Sequence, residues 1–487
     1  MGLARVTANE TGLTAKGYGD VCDLRGVKAR VRVTDTIMKT APVLTTVNLY
    51  SLQYSLKILL PLILLLASLS RLLAGPAPDK WEAWSTRPEL MPATNYNAKD
   101  RAWHIAANGK ASYQGGWELQ WSDIQAGKWY QFDIECQASD LPSVHDNAHA
   151  ELFWWKADGK RAGWQHVRFR PGKGVLTYSL HAQAPEGAVR ASARLMLRWT
   201  DHGSLTWKSP SLKQTAPPAE RKIKAAIATG KFPGTSVEDN LAFSIDLIKA
   251  AAKAGADVVC LPETITSFRS RLPIEETARI IPGPETDRLG RVAREHDIDI
   301  VFSMNEIDKK GLIYNTGIYI DAKKGITGKY RKVHLSVGER WEGKTPGQTF
   351  PVWKTHYGKS GMLICYDNVH PEGHRILSQK GAEVLFLPIM GDPRAVGEHA
   401  FDKWLQIMKV RAMDNHVWYV ICQNKGTWGV IIRPDGEIVA EVDPDTGMAI
   451  AEIDLNFKYK SWIGSDFENR NWGERRPNLY GELIEDH

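Results

Sequence analysis

Four stretches with different patterns of hydrophobic and polar positions follow one another along the 487-residue chain. Residues 1–56 are polar, mixed and aperiodic, and they predict nothing beyond a disordered leader. Residues 57–78 hold an uncharged apolar run, Ile58 to Ser70, which follows Lys57 and leads to the small residues Ala74, Gly75 and Ala77. The run is short for a bilayer span and suits the apolar region of a signal peptide, so the chain is expected to be secreted or periplasmic. A start at Met38 would shorten the distance to the N-terminus. An uncleaved anchor, or a tilted membrane segment taking in Arg71, is the alternative. From 80 to 212 the period is two: Trp129–Glu135, Ala150–Trp155 and Ala193–Trp199 alternate, with Gly, Asp and Pro between such runs, which predicts an antiparallel β-sandwich. From 222 to 455 apolar runs of strand length alternate with helical patterns. Strands are expected at Ile223–Ala228, Asp257–Leu261, Asp299–Met304, Ile313–Ile320, Met362–Cys365, Val384–Pro388, Val417–Cys422 and Ala449–Ile453, with a hairpin at Val430–Val442. Helices are expected from Ser236 and over Glu285–Asp297, Glu372–Gln379 and Glu398–Asn415, which together make an α/β layered domain. Residues 213–221, with Pro217 and Pro218, read as the linker. Residues 456–487, with Trp462, Phe467 and Trp472, read as a tail packed on a neighbouring surface or subunit.

Composition narrows the classes. With 43% hydrophobic and 24% charged residues the chain can bury large cores, and 487 residues suit two or three domains. A net charge of +6, with no run of five like charges, does not point to nucleic acid. Cysteines 22, 136, 260, 365 and 422 show neither CxxC pairing nor zinc spacing, so no disulfide framework or metal site is expected. Cys260 and Cys422 lie inside apolar strand patterns and read as core. The zone 80–212 is dense in tryptophan. Most of these rings are expected to fill the sandwich core, and of the neighbours Trp154 and Trp155 at most one can be core. The zone looks like a jelly-roll module of the carbohydrate-binding type, whose exposed Trp rings could contact a glycan.

Candidate chemistry concentrates at strand ends. The apolar run Met362–Ile364 ends on Cys365, and a polar turn, Pro371 and a helical run follow. A strand–cysteine–turn–helix order can expose a nucleophile, because ligands collect at the carboxyl ends of strands in α/β sheets. A buried core cysteine is the equal alternative on this segment alone. Leu261–Pro262–Glu263 ends another apolar run, and Lys332 sits in a basic cluster, Lys329 to Lys332. Each alone reads as a surface charge. Together, a carboxylate could activate a thiol and an ammonium could hold an oxyanion.

Three segments, Leu261–Glu263, Tyr330–Leu335 and Ile364–Glu372, occur in the order of the carbon–nitrogen hydrolase (nitrilase) superfamily, which the chain resembles from about Lys222 to Asp454. Ile281–Pro284, Tyr314–Thr316, Arg411–Asn415 and Arg433–Glu437 are similar to further family segments. The resemblance covers roughly half of the chain and nothing before residue 220. It implies a four-layer αββα sandwich, following the all-β jelly-roll-like domain. It implies Cys365 as the nucleophile that forms a thioester, Glu263 as the general base, and Lys332 with the N–H of Tyr366 as the oxyanion site. Glu339 is the second acid that fits best, with Glu342 competing. No cofactor or metal is implied, and the protein is expected to be a homodimer or larger.

The substrate expected is a small linear amide or carbamoyl compound. Relatives that take N-carbamoyl amino acids often carry arginine a few residues past the nucleophile, where this chain has Asn368 and Val369. A carboxylate clamp is therefore missing there. Arg394 is a weaker substitute, and His370 reads as a pocket or packing group, with packing favoured. Tyr366–Asp367 matches amidase branches better than nitrilases. A nitrilase, a carbohydrate- or surface-binding scaffold and an N-acyltransferase are the other readings.

Overall fold

The computed structural model describes residues 18–20, 30–32, 75–391, 397–425, 427–460 and 466–485. The apolar run of 57–78 up to Ala74, Met38, Cys22, Arg394 and Trp462 lie outside the described residues. Tyr18–Asp20 and Arg30–Arg32 pair as a short antiparallel ladder. Among the described residues no helix is long and apolar enough to cross a membrane.

Residues from Gly75 on form one compact unit. Its first part holds eleven strands: β1 (Lys80–Ser85), β2 (Ala93–Asn97), β3 (Ala102–Ala106), β4 (Gln114–Trp121), β5 (Trp129–Ser139), β6 (Ala148–Lys156), β7 (Arg161–His166), β8 (Arg168–Pro171), β9 (Leu176–Gln183), β10 (Ala188–Arg198) and β11 (Ser204–Thr215). They make two antiparallel sheets, ordered β8-β9-β5-β11-β3-β2 and β1-β4-β10-β6-β7. Alternation along the strands sends Phe132, Ile134, Leu152, Trp154, Leu195 and Trp207 into one shared core. Trp154 is fully buried there, whereas its neighbour Trp155 faces the other side and is half-buried. Trp103, Trp117, Trp121 and Trp164 are buried as well, and Trp81 and Trp199 are exposed.

Two boundaries differ from expectation. β11 runs to Thr215, three residues into the stretch read as linker, because Lys213, Gln214 and Thr215 keep pairing with Gln131, Tyr130 and Trp129 of β5. The ladder stops where Pro217 and Pro218 lack N–H groups. At the other end, residues 75–78, read with the apolar segment, pack on the strands: Trp121 Nε1 donates to the Pro76 carbonyl at 3.0 Å, and Pro78 is buried.

Among the described residues the second part has twelve strands: β12 (Lys222–Ala228), β13 (Val258–Cys260), β14 (Asp299–Ile307), β15 (Ile313–Asp321), β16 (Gly325–Arg331), β17 (Val352–Lys354), β18 (Lys359–Met362), β19 (Val384–Ile389), β20 (Trp418–Gln423), β21 (Trp428–Ile432), β22 (Ile438–Glu441) and β23 (Met448–Asp454). One sheet is ordered β16-β15-β14-β13-β12-β23 and the other β17-β18-β19-β20-β21-β22. β12, β13 and β14 are parallel, as are β18, β19 and β20, so each sheet has a parallel centre. The middle strands of these centres, β13 and β19, are apolar and buried throughout, as strands covered on both faces are. Residues of the two sheets, among them Cys260, Tyr319, Met362, Phe386 and Cys422, share one core. Gly317 on β15 permits the approach, since a Cβ there would lie 2.0 Å from Met362 Sδ of the other sheet.

Helices cover the remaining faces. α1 (Val237–Lys253) starts at Ser236, whose Oγ accepts the Asp239 N–H at 3.0 Å. Leu241, Ile245 and Ile248 recur at helical spacing and pack with Leu289 and Val292 of α2 (Pro284–His296) on the first sheet. On the second sheet, Leu377 of α4 (Pro371–Gln379) and Met408 and Ala412 of α5 (Glu398–Asn415) join the shared core. The short α3 (Val337–Trp341) lies between, after β16. Near the C-terminus α6 (Phe467–Gly473) packs on β7, and Trp472 is buried against His416.

Candidate active site

Three strand ends deliver the expected side chains. β13 stops at Cys260, and three residues later Glu263 turns into the interior. Thr264 after it has φ 50°, and its N–H donates to Ser303 Oγ at 2.9 Å. β16 stops at Arg331, and the next residue is Lys332, 1% exposed. β18 stops at Met362, and Cys365 opens a 3-10 turn, Cys365–Val369, with φ 46°. A left-handed conformation costs a non-glycine residue about 1–2 kcal/mol, and such strain gathers at working sites.

The loop holds that conformation through Asp367. Its fully buried carboxylate accepts from Tyr330 Oη at 2.7 Å, the Ile364 N–H at 2.9 Å, the His334 N–H at 2.9 Å and His334 Nδ1 at 2.8 Å. The two segments on either side of the site are thereby tied together.

One ammonium sits between two carboxylates. Lys332 Nζ donates to Glu263 Oε1 at 3.0 Å and to Glu339 Oε2 at 2.7 Å. Asn315 Nδ2 spans the same pair, 2.7 Å from Glu263 Oε1 and 2.8 Å from Glu339 Oε1. Glu339 also closes the capping box of α3, accepting from the Ser336 N–H and Oγ at 3.0 Å each. Glu263 Oε2 is buried and has no hydrogen-bond partner among the described residues.

Charges set the protonation. Burial alone would lower the Lys332 pKa, but Glu263, Cys365 and Glu339 together hold it above its ordinary value. Burial would raise the Glu339 carboxyl, and Lys332 with Lys344 pulls it below the usual range. Burial, followed by the negative charge of Glu263, pushes the Cys365 thiol up to about 12, against Lys332 and a hydrogen bond from the Met390 backbone. The resting sulfur is therefore a thiol at neutral pH.

Glu263, Lys332, Cys365 and Glu339 thus converge. Glu342 does not: its side chain is exposed and pairs with Lys344 at 3.0 Å. Tyr366 is 41% exposed and meets the His370 ring edge-to-face. His370 stacks on His334 with ring centroids 3.9 Å apart. Asn368 is buried; its Oδ1 accepts from Tyr419 Oη at 3.0 Å, and its Nδ2 has no partner among the described residues. No local pattern in the sequence assigns a role to Asn315, Tyr330, His334 or Asp367. Their signal was weak, a polar residue inside an apolar strand or a turn-forming Asp after the cysteine.

A family model described as carbon–nitrogen hydrolase matches residues 224–460. The chain is 30% identical over 259 residues to omega-amidase NIT2 of Xenopus tropicalis, covering 50% of this chain and 91% of that one. It is 30% identical over 298 residues to N-carbamoylputrescine amidase of Solanum lycopersicum, covering 55% and 97%. Among solved structures, Nit3 of Saccharomyces cerevisiae, a member of branch 10 of the nitrilase superfamily, is similar at 27% identity and a TM-score of 0.44, covering 49% of this chain and 93% of that one. The chain belongs to the carbon–nitrogen hydrolase family. It is an enzyme of the amidohydrolase type.

Proposed function

We propose that this enzyme hydrolyses a linear amide or carbamoyl compound through a thioester on Cys365, with Glu263 and Lys332 completing a catalytic triad. The asymmetry of Glu263 carries this reading. One carboxylate oxygen is held by Lys332 and Asn315, and the other is buried without a partner among the described residues, which leaves it free to take a proton. Cys365 Sγ attacks the carbonyl carbon while its proton passes to Glu263 Oε2. The electron pair moves to the carbonyl oxygen, which Lys332 Nζ and the Tyr366 N–H stabilise. Collapse expels the amine, which takes the proton back from Glu263 and leaves the thioester. Glu263 then deprotonates water, water attacks the thioester, and the acid departs as the thiol is restored. Glu339 keeps Lys332 charged and fixed. The named activities of the frog and tomato relatives support an amide or carbamoyl substrate. We read the layering of helices and sheets as αββα, the frame that lets all three strand ends meet.

Intact mass spectrometry on protein incubated with amides, carbamoyl compounds and nitriles tests the mechanism. A covalent adduct on the wild type, absent from Cys365→Ala, is expected, and its mass names the acyl group. Ammonia or amine release that persists in Cys365→Ala would sink it. Adducts from nitriles alone, or product formation only with an added amine, would move the assignment to a nitrilase or an acyltransferase.

Three further readings are ours to test. The segment 57–78 directs export, which N-terminal sequencing of protein recovered outside the cytoplasm would check. Trp81 and Trp199, both exposed, are the rings of the jelly-roll-like module able to stack on a glycan. Loss of glycan retention in Trp81→Ala or Trp199→Ala is the expected sign. The enzyme assembles at least as a homodimer, to be read from its sedimentation.

A further inference from the structure

A second polar cluster lies on the outer face of the five-stranded sheet. Along β6, Ala150, Leu152 and Trp154 enter the core, so His149, Glu151 and Phe153 face the other way. On the antiparallel neighbour β7, His166 is directly opposite Glu151. His149, Glu151 and His166 therefore meet on one face, across two rigid strands.

Their ligating atoms are close. His149 Nε2 is 3.1 Å from His166 Nδ1 and 3.3 Å from Glu151 Oε1, and His166 Nδ1 is 3.8 Å from Glu151 Oε1. A circle through three atoms so spaced has a radius of about 2.0 Å, which is the length of a zinc–imidazole or zinc–carboxylate bond. Both rings are more than nine-tenths buried.

The surroundings suit an ion as well. His166 Nε2 is buried with no hydrogen-bond partner among the described residues, and Glu474 Oε1 lies 3.6 Å away. A ligating histidine commonly turns its second ring nitrogen toward a carboxylate in this way. The His166 backbone is gripped on both sides by Asn469 of α6, whose Oδ1 accepts the N–H and whose Nδ2 donates to the carbonyl, each at 2.8 Å. Gly473 lies flat on the ring, where a Cβ would come 2.4 Å from Cγ. Both histidines line a cavity of about 170 Å³, which gives room for a solvent ligand. Arg198 and His145 face the cluster. Glu151 and Glu474 oppose them, as does Asp146, which pairs with Arg476 at 3.5 Å.

We propose that His149, His166 and Glu151 bind one divalent transition-metal ion of the zinc type, a structural site that fastens α6 to the β-rich part of the molecule. The three residues come from the part of the chain that precedes the family match, so the site is independent of the catalytic one.

The full-length protein, stripped with a chelator and dialysed against zinc, should retain one equivalent more than Glu151→Gln or His166→Gln. Cobalt should give a visible absorption band on the wild type that both variants lack, and magnesium, which prefers oxygen ligands, should not compete. Zinc should raise the melting temperature of the wild type and leave Glu151→Gln unmoved. Equal zinc on wild type and variants would assign the ion elsewhere, and no retained zinc or no cobalt band would leave a hydrogen-bonded trio only; either overturns the proposal. If His166→Gln fails to fold, Glu151→Gln, which keeps its shape and loses one charge, decides.

Discussion

At the scale of single residues, the buried Glu263–Lys332–Glu339 group separates charge balance from chemistry. Lys332→Met would leave two buried carboxylates facing each other without their cation. Breaking a buried pair in this way costs about 3–5 kcal/mol, and the loss should appear as a lower midpoint in urea. Glu263→Gln keeps the shape and lets Lys332 stay paired with Glu339. Its midpoint should move little, while turnover should fall by about 10²–10⁴, the usual worth of a positioned base. Comparing kinetics and denaturation of the two variants checks both expectations. That Cys365, Glu263 and Lys332 each stand at the end or edge of a strand-like run could be read from the residues, whereas their grouping came from the order of the segments that resemble the carbon–nitrogen hydrolase family. Asn315 and Asp367 were not legible. Their roles are contacts with Glu339 and His334, and no local period records which distant group a side chain will meet.

At the scale of elements, the gap between the two sheets is set by Gly317 and Met362. Gly317→Ala should destabilise by about 1–3 kcal/mol, as overpacking does. Gly317→Ala with Met362→Ala should recover part of that loss, a coupling that a double-mutant cycle in denaturant would measure. The turn Cys365–Val369 has its own signature. With the thiol held up to about 12 by burial and Glu263, alkylation by iodoacetamide should keep rising through pH 9–10 without a plateau. Levelling off near pH 8 would mean that the thiolate is far more accessible than the geometry allows. The strands and long helices were legible from periods of two and 3.6. The true reach of β11 was not, because Lys213–Thr215 carries a polar composition that belongs to a linker, and only its pairing with β5 keeps it extended.

Across the whole molecule, buried histidines contribute to the response to acid. Burial, followed by Arg411, lowers the His374 pKa to about 3, and burial brings His416 to about 4. Both are neutral in the fold and take up protons once unfolded, with an ordinary value near 6.5. Stability is therefore complete above about pH 6.5 and falls as the pH drops toward the folded values, by roughly 1.4 kcal/mol per unit for each group. His374→Gln, which can still reach Tyr419, should flatten that slope between pH 6 and 4 in melts followed by circular dichroism. The division into an all-β part and an α/β part could be read from the change of period near residue 222. That α6 returns to β7 could not, since the seven residues Phe467–Gly473 carry no pattern naming their partner.

That return has a consequence for how the protein is made. His166 is held by Asn469, 303 residues later in the chain. A ribosome adding about 5–20 residues per second needs roughly 15–60 s to travel between them. During that interval the β-rich part has emerged with one edge strand, β7, lacking its cover, and an uncovered edge invites pairing with other chains. Nascent chains stalled before Phe467 should therefore be caught by chaperones or by one another. Chains released past Gly473 should not.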